Sequence, residues 1–297
     1  MSSVAASNTT PNAAYAPLRP ISFGRPQVRI ERRDDGTIYV RPTTALVDYP
    51  RRLTDRLHHW AKLEPNRVFM AERAADGGWR TITYAQLLDA SRHVASALLA
   101  RGLSAERPVM ILSGNSIDHA LVAFGALYAG IPFCPVSPAY SLVSKDFSKL
   151  SFVMKLLTPG LVFAADATQF ADALAANVPA DVEIVAVRGE VPGRAVTSLA
   201  DLLATPEHPQ LDAVHDAIGP DTIAKFLLTS GSTGNPKAVI NTQRMICANQ
   251  VMLRETLAFL MDEPPVIVDW LPWNHTFGGN HNIGLTLFNG GSMYLDE

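Results

Sequence analysis

Thr229-Ser230-Gly231-Ser232-Thr233-Gly234-Asn235-Pro236-Lys237 brings four hydroxyls, two glycines and a lysine together within nine residues. A loop of this composition can aim backbone N–H groups, hydroxyls and an ammonium at one anion. Glycine permits the dihedrals such a loop needs and lets the backbone approach a ligand closely. The chemistry suggested is phosphate binding. Spacing excludes three other loops. Counting from Gly231, a Walker A motif would need glycine at Pro236 and Ser or Thr at Ala238. G-x-G-x-x-G and G-x-S-x-G are absent, which removes the dinucleotide, kinase and α/β-hydrolase alternatives.

The flanks narrow the geometry. Ile223–Leu228 before the loop and Ala238–Thr242 after it are apolar, β-branched runs, and a helix is expected only from Gln243. The loop therefore joins two strands, and an anion in it would rest on a backbone nest and hydroxyls without a helix dipole behind them. A second stretch that could do chemistry is Trp270-Leu271-Pro272-Trp273-Asn274-His275-Thr276-Phe277-Gly278-Gly279, with His281 just beyond. Trp273, Phe277 and His281 make it aromatic, which suits a flat aromatic ligand or plain core packing. His275 and His281 lack further ligands for a metal nearby, so no metal site is expected.

The elements that must position these stretches follow from hydrophobic spacing. Leu53, Leu57, Trp60 and Leu63 recur at helical intervals; Val68–Glu72 and Trp79–Thr83 are strands joined at Asp76-Gly77-Gly78. Thr83 caps a helix expected from Tyr84 to Arg101, with Gly102 as its C-terminal stop. Strand Pro108–Leu112, helix His119–Ala129 and strand Ile131–Val136 give a βαβ unit. The alternation continues through helix Leu150–Leu157, strand Leu161–Ala164, helix Thr168–Ala176 and strand Glu183–Val187. The expected fold class is α/β, with parallel sheets covered by helices. The expected divisions are a disordered tail at 1–17, an Arg-rich lead-in at 18–45, a first α/β subdomain at 46–204, a linking loop at 205–220, and a second subdomain at 221–297. The arginines between Arg19 and Arg41 read as a solvated lead-in around an Asp34-Asp35-Gly36 turn.

At 297 residues and 47% hydrophobic, the chain can bury a substantial core. A net charge of −3 gives no pull toward nucleic acid or anionic membrane. The longest apolar run, Ala120–Val136, is interrupted by Gly125, Gly130 and Pro132 and falls short of the roughly 20 apolar residues a span requires. The first twenty residues lack the apolar core of a secretory signal. Cys134 and Cys247 both sit in apolar surroundings and read as reduced core thiols, so a cytoplasmic, soluble protein is expected.

The Thr229–Lys237 stretch closely resembles the signature loop of the adenylate-forming superfamily, which includes acyl-CoA synthetases, adenylation domains and beetle luciferases. Thr83-Tyr84-Ala85-Gln86-Leu87 resembles that family's T-Y-x-E-L element with Gln86 in place of Glu, and Leu127-Tyr128-Ala129-Gly130-Ile131-Pro132-Phe133-Cys134-Pro135-Val136 resembles its L-x-A-G-x-x-x-x-P element. Trp270–Gly279 resembles the motif in which proline, an aromatic, a variable residue and histidine precede a glycine. Within the family, the Pro-Trp-Asn-His-Thr-Phe-Gly-Gly-Asn-His run and the Arg-rich start are most similar to feruloyl-CoA synthetases.

The resemblance implies ATP-dependent activation of a carboxylic acid, here a hydroxycinnamate such as ferulate, to an acyl-adenylate and then to its coenzyme A thioester. ATP, magnesium and coenzyme A are the implied cofactors. Small molecules are the implied partners, with a homodimer left open. It assigns Thr229, Ser230, Gly231, Ser232, Thr233, Gly234 and Lys237 to the ATP phosphates, His275 to the reacting carboxylate, and Trp273, Thr276 and Phe277 to the acyl pocket. The family's Y-G-x-T-E and T-G-D segments, hinge and small C-terminal domain have no match in this sequence. The expectation is thus the N-terminal portion of such an enzyme, unable to complete turnover alone. A ligase for fatty or other acids, and a non-catalytic nucleotide-binding module, are the competing expectations.

Overall fold

A computed structural model describes residues 20–25, 27–230 and 234–296. The tail expected at 1–17, together with Gly231, Ser232 and Thr233, lies outside the described residues.

The Arg-rich lead-in forms an antiparallel hairpin, β1 (Val28–Arg32) and β2 (Ile38–Pro42), that turns at Gly36 with φ +85°. Its arginines are solvated, as expected: Arg33 and Arg41 lie over the Tyr39 ring, and Arg41 pairs with Glu31 at 3.3 Å. After helix α1 (Thr54–Leu63), strands β3 (Val68–Arg73) and β4 (Trp79–Thr83) pair antiparallel. Helix α2 (Tyr84–Ala100) starts at a capping box in which the Thr83 hydroxyl accepts from the Gln86 N–H and Gln86 Oε1 accepts from the Thr83 N–H. Glutamine therefore serves this cap as glutamate would.

The main sheet is built from β5 (Val109–Leu112), β6 (Phe133–Pro135), β7 (Leu161–Asp166), β8 (Glu183–Arg188), β9 (Thr197–Ser198), β10 (Ile223–Ser230) and β11 (Pro236–Thr242). Its order is β11-β10-β6-β5-β7-β8-β9, parallel throughout except where β11 runs antiparallel along β10. A parallel sheet covered on both faces needs strands that are apolar on both sides. In β5, Val109 and Ile111 enter the core under α2 and α3 (Ile117–Tyr128), whereas Met110 and Leu112 enter the opposite core with Leu150, Val153 and Leu174. Strands β12 (Val266–Asp269) and β13 (Ser292–Leu295) return to β3 and complete a second sheet in the order β12-β13-β3-β4.

Two expectations need correction. Thr205–Pro220 is not wholly a loop, because Leu211–Ala217 is helical, with Leu211 and His215 buried one turn apart. Nor does that stretch separate two subdomains: the main sheet takes β10 and β11 from its C-terminal side, and the second sheet joins β3 and β4 to β12 and β13. Strand pairing is decided by non-local contacts, which a composition shift does not reveal. Among the described residues no helix is long and apolar enough to cross a membrane.

Candidate active site

The Trp270–Asn282 segment is held by a buried carboxylate at the end of β12. Asp269 is 1% exposed and accepts three hydrogen bonds: Trp273 Nε1 at 3.0 Å, Asn282 Nδ2 at 2.7 Å and the Leu271 N–H at 3.2 Å. Asn115, in the turn between β5 and α3, clamps the same segment from the other side. Its Nδ2 donates to the Leu271 carbonyl at 2.9 Å and its Oδ1 accepts from the Trp273 N–H at 3.0 Å. Trp273 was expected on the acyl pocket. It lies in the interior, 2% exposed, edge-on to His119 with ring centroids 5.0 Å apart, and it lines an inner cavity with His119 and Lys225. Its indole N–H needs a partner once buried, and Asp269 supplies one.

Beyond Trp273 the chain forms a π-helical turn, Phe277–Asn282, that runs straight into the helix Ile283–Phe288. π turns are rare and are frequent at functional sites. Gly278 and Gly279 make this one sterically possible. A Cβ at Gly278 would lie 2.5 Å from the Leu271 carbonyl oxygen, and one at Gly279 would lie 2.2 Å from that of Trp273. The turn presents His275, Thr276 and Phe277 at the surface. The Phe277 ring stacks on His281, with centroids 4.5 Å apart and planes 18° apart.

The hydroxyl-rich stretch closes the β10–β11 hairpin, so it does join two strands, as its flanks require. Thr229 pairs with Lys237 across the hairpin, and both are exposed. Gly234 has φ +89°, a left-handed backbone that glycine adopts without strain, and nothing lies within 4 Å of where a Cβ would be. An open, left-handed glycine beside an exposed threonine and a lysine fits the donor set of an anion nest.

Two hydrogen bonds tie this hairpin to the π turn. Asn280 Nδ2 donates to Asn241 Oδ1 on β11 at 2.9 Å, and Lys225 Nζ on β10 donates to the Gly279 carbonyl at 2.6 Å. Between the π turn and the helix Gln243–Thr256 that follows β11 lies a cavity of about 380 Å³ lined by Asn241, Met245, Ile246, Asn249, Thr276, Phe277, Asn280 and His281. Thr276 and Phe277 therefore line one cavity. Lys237 does not line it and faces a separate depression beside Phe152, Phe226 and Ile240.

Asp269, Asn115, Asn280 and Lys225 were not singled out in the sequence. Lys225 had a signal, as the one charged residue within the apolar run Ile223–Leu228. It is 6% exposed, and desolvation pushes its amine down to about 7. Burial likewise pushes His119 down to about 4, which leaves a neutral imidazole against Trp273. Cys134 and Cys247 are free and buried, and burial pushes both thiols up to about 12.

Among the described residues no group of three or more His, Cys, Asp or Glu could hold a metal ion. The described part of the hairpin end offers an exposed threonine, an exposed lysine and an open left-handed glycine, donors suited to an anion such as a phosphate.

Residues 57–297 match the model of the AMP-binding enzyme family. The salicylyl-CoA synthase / salicylate adenylyltransferase of Streptomyces sp is 28% identical over 250 residues, covering 82% of this chain and 44% of that protein. The 4-hydroxyphenylalkanoate adenylyltransferase of Mycobacterium marinum (strain ATCC BAA-535 / M) is 26% identical over 248 residues, covering 80% and 37%. The chain thus spans less than half the length of the curated relatives it matches. The crystal structure of the fatty acyl-adenylate ligase from L. pneumophila, solved in complex with acyl adenylate and pyrophosphate, superposes with a TM-score of 0.63. It is 21% identical, over 82% of this chain and 39% of that one, so the likeness shows the fold.

Proposed function

Because this chain belongs to the AMP-binding enzyme family, we propose that its hairpin and π turn form the substrate side of an acid-activating site. The observation that carries this reading is the hydrogen bond from Asn280 in the π turn to Asn241 on β11, the strand that leaves the hydroxyl-rich loop, beside a cavity that both residues line. One motif would receive the phosphates of ATP and the other the carboxylic acid, so the coupling fixes the distance between two reactants and lowers the entropic cost of bringing them together.

In the proposed reaction a carboxylate oxygen attacks the α-phosphorus of ATP. The bond from that phosphorus to the β-phosphate oxygen breaks, and pyrophosphate leaves. The backbone N–H groups and hydroxyls of Thr229, Ser230, Ser232 and Thr233 would stabilise the charge on the leaving pyrophosphate, with Gly231 and Gly234 allowing close approach. Lys237 would act as a point charge at the mouth of the nest. His275 is exposed at the start of the turn and its imidazole would donate to the reacting carboxylate or phosphate. The thiol of coenzyme A would then attack the acyl carbon and expel AMP. Magnesium, when bound, would supply charge neutralisation at the phosphates.

The acid we assign is aromatic, a hydroxycinnamate such as ferulate. A flat ring fits beside the stacked Phe277 and His281 at the exposed rim, and Asn241, Asn249, Thr276 and Asn280 offer hydrogen bonds to ring substituents. A cytoplasmic setting is supported by the two free, buried thiols. The test is pyrophosphate release by the full-length protein across a panel of aromatic and aliphatic acids. Ferulate and its relatives should be preferred; preference for aliphatic acids would overturn the assignment of the acid.

A further inference from the structure

Lys225 takes no part in the reaction above, yet its surroundings are unusual for a lysine. It lies in the strand that leads into the phosphate loop and is 6% exposed. Among the described residues its amine makes one hydrogen bond, to the Gly279 carbonyl at 2.6 Å, and lies 5.5 Å from the Phe133 ring centroid. A buried lysine is costly unless its charge is compensated, and a methionine or leucine would fill the same volume without that cost. Its retention here points to something other than stability.

Its one hydrogen-bonding partner lies inside the π turn. Gly279 is fixed on three sides: its N–H donates to the His275 carbonyl at 2.8 Å, its α-carbon sits against the Trp273 carbonyl with no room for a Cβ, and its own carbonyl receives Lys225. The next residue, Asn280, lines both the 380 Å³ pocket and an inner, mostly apolar cavity of about 30 Å³, and Ile246 is common to both walls. Lys225 lines the inner cavity. The amine therefore stands directly behind the wall against which an acid would bind.

We propose that Lys225 is a positioning residue for the acid: by holding the Gly279 carbonyl it sets the π turn, and through it the placement of Thr276, Phe277 and Asn280 in the acyl-side pocket. This rests on the acid-activating reading. It also makes acid binding sensitive to the charge on Lys225, because an ammonium holds a carbonyl more firmly than an amine does. Burial places that change at about 7, so the brace is strongest below neutral pH and weakens as pH rises through that value. The other titratable side chain lining the inner cavity is His119 on α3, which burial keeps neutral down to about 4 and which therefore does not change charge in this range.

The experiment uses full-length wild-type protein and Lys225→Met. Pyrophosphate release is measured against acid and against ATP from pH 6 to 8.5, and amide hydrogen exchange is followed at residues 277–283. In the wild type, KM for the acid should rise several-fold through about pH 7 while KM for ATP stays within twofold. In Lys225→Met, KM for the acid should be raised about tenfold at pH 6.5, its pH dependence should vanish, the melting temperature should not fall, and exchange at 277–283 should quicken. Lys225→Arg should keep the low KM and lose the pH dependence. Unchanged acid KM together with unchanged exchange in Lys225→Met overturns the proposal. If that variant does not fold, a wild-type acid KM that is flat across the pH range overturns it as well. Absence of acid-dependent release by the wild type refutes the acid-activating reading instead, and unchanged exchange would then still reject the brace.

Discussion

Asp269 Oδ2 accepts a hydrogen bond from Trp273 Nε1 at 3.0 Å, and around that bond the Trp270–Asn282 segment is arranged. The same carboxylate also receives Leu271 and Asn282, so both ends of the Trp270–Asn282 excursion close on one side chain. Replacing Asp269 with alanine would leave three donors without their acceptor in a buried site. Each orphaned group costs about 1 kcal/mol or more, so Asp269→Ala should lose about 3 kcal/mol in chemical denaturation and abolish acid-dependent pyrophosphate release.

Gly279 shows how closely the turn is packed. The Cβ of an alanine would meet the Trp273 carbonyl at 2.2 Å, and that atom is backbone, which cannot swing aside. Gly279→Ala should therefore cost about 2 kcal/mol or more by overpacking and raise KM for the acid. Alanine at Gly234, where space is open but φ is +89°, should instead raise KM for ATP with a smaller stability loss, of about 1 kcal/mol. Denaturation curves and the two KM values separate these cases.

Much of this was legible in the sequence, for reasons that particular residues make plain. The hairpin could be read because Ile223–Leu228 and Ala238–Thr242 are apolar and β-branched, and the loop between them is dense in glycine and hydroxyls. The start of α2 could be read because Thr83 and Gln86 form a local box whose two halves are three residues apart. The helix Leu211–Ala217 was hidden because it is short, with only Leu211 and His215 buried, inside a polar, Pro-flanked stretch. Strand β12 was hidden for a related reason, with Pro264-Pro265 before it and a tryptophan loop after it. The burial of Trp273 was not legible because its direction is set by Asp269 and Asn115, and Asn115 lies 158 residues away. The coupling of Lys225 to Gly279 spans 54 residues and has no local signature.

Histidine protonation should shape the response to acid. Desolvation pushes His119 and His215 down to about 4, and His58 is lowered too; Tyr128 stacks on His215 with centroids 4.1 Å apart. The unfolded chain therefore binds more protons than the folded one between about 6.5 and 4. The stability contributed is present above about 6.5 and is lost as pH falls toward 4. Thermal melts should show the melting temperature declining across that window, and His215→Gln should shallow the decline.

Lys237 is exposed and is not among the residues lining the cavity beside the π turn, so its loss should separate phosphate binding from folding. Lys237→Ala should leave stability within about 0.5 kcal/mol, as surface substitutions do. KM for ATP should rise several-fold, with the acid KM little changed. Equal ATP affinity in variant and wild type would remove Lys237 from the phosphate site.

The most direct measurement is of the activated intermediate itself. Full-length protein given ATP and ferulate should form feruloyl-adenylate, detected by mass spectrometry, with one pyrophosphate released per adenylate and none released without the acid. Thr229→Ala and His275→Ala should each slow that release by at least about tenfold. Pyrophosphate release that does not depend on acid, or no adenylate from any carboxylic acid tried, would contradict the account.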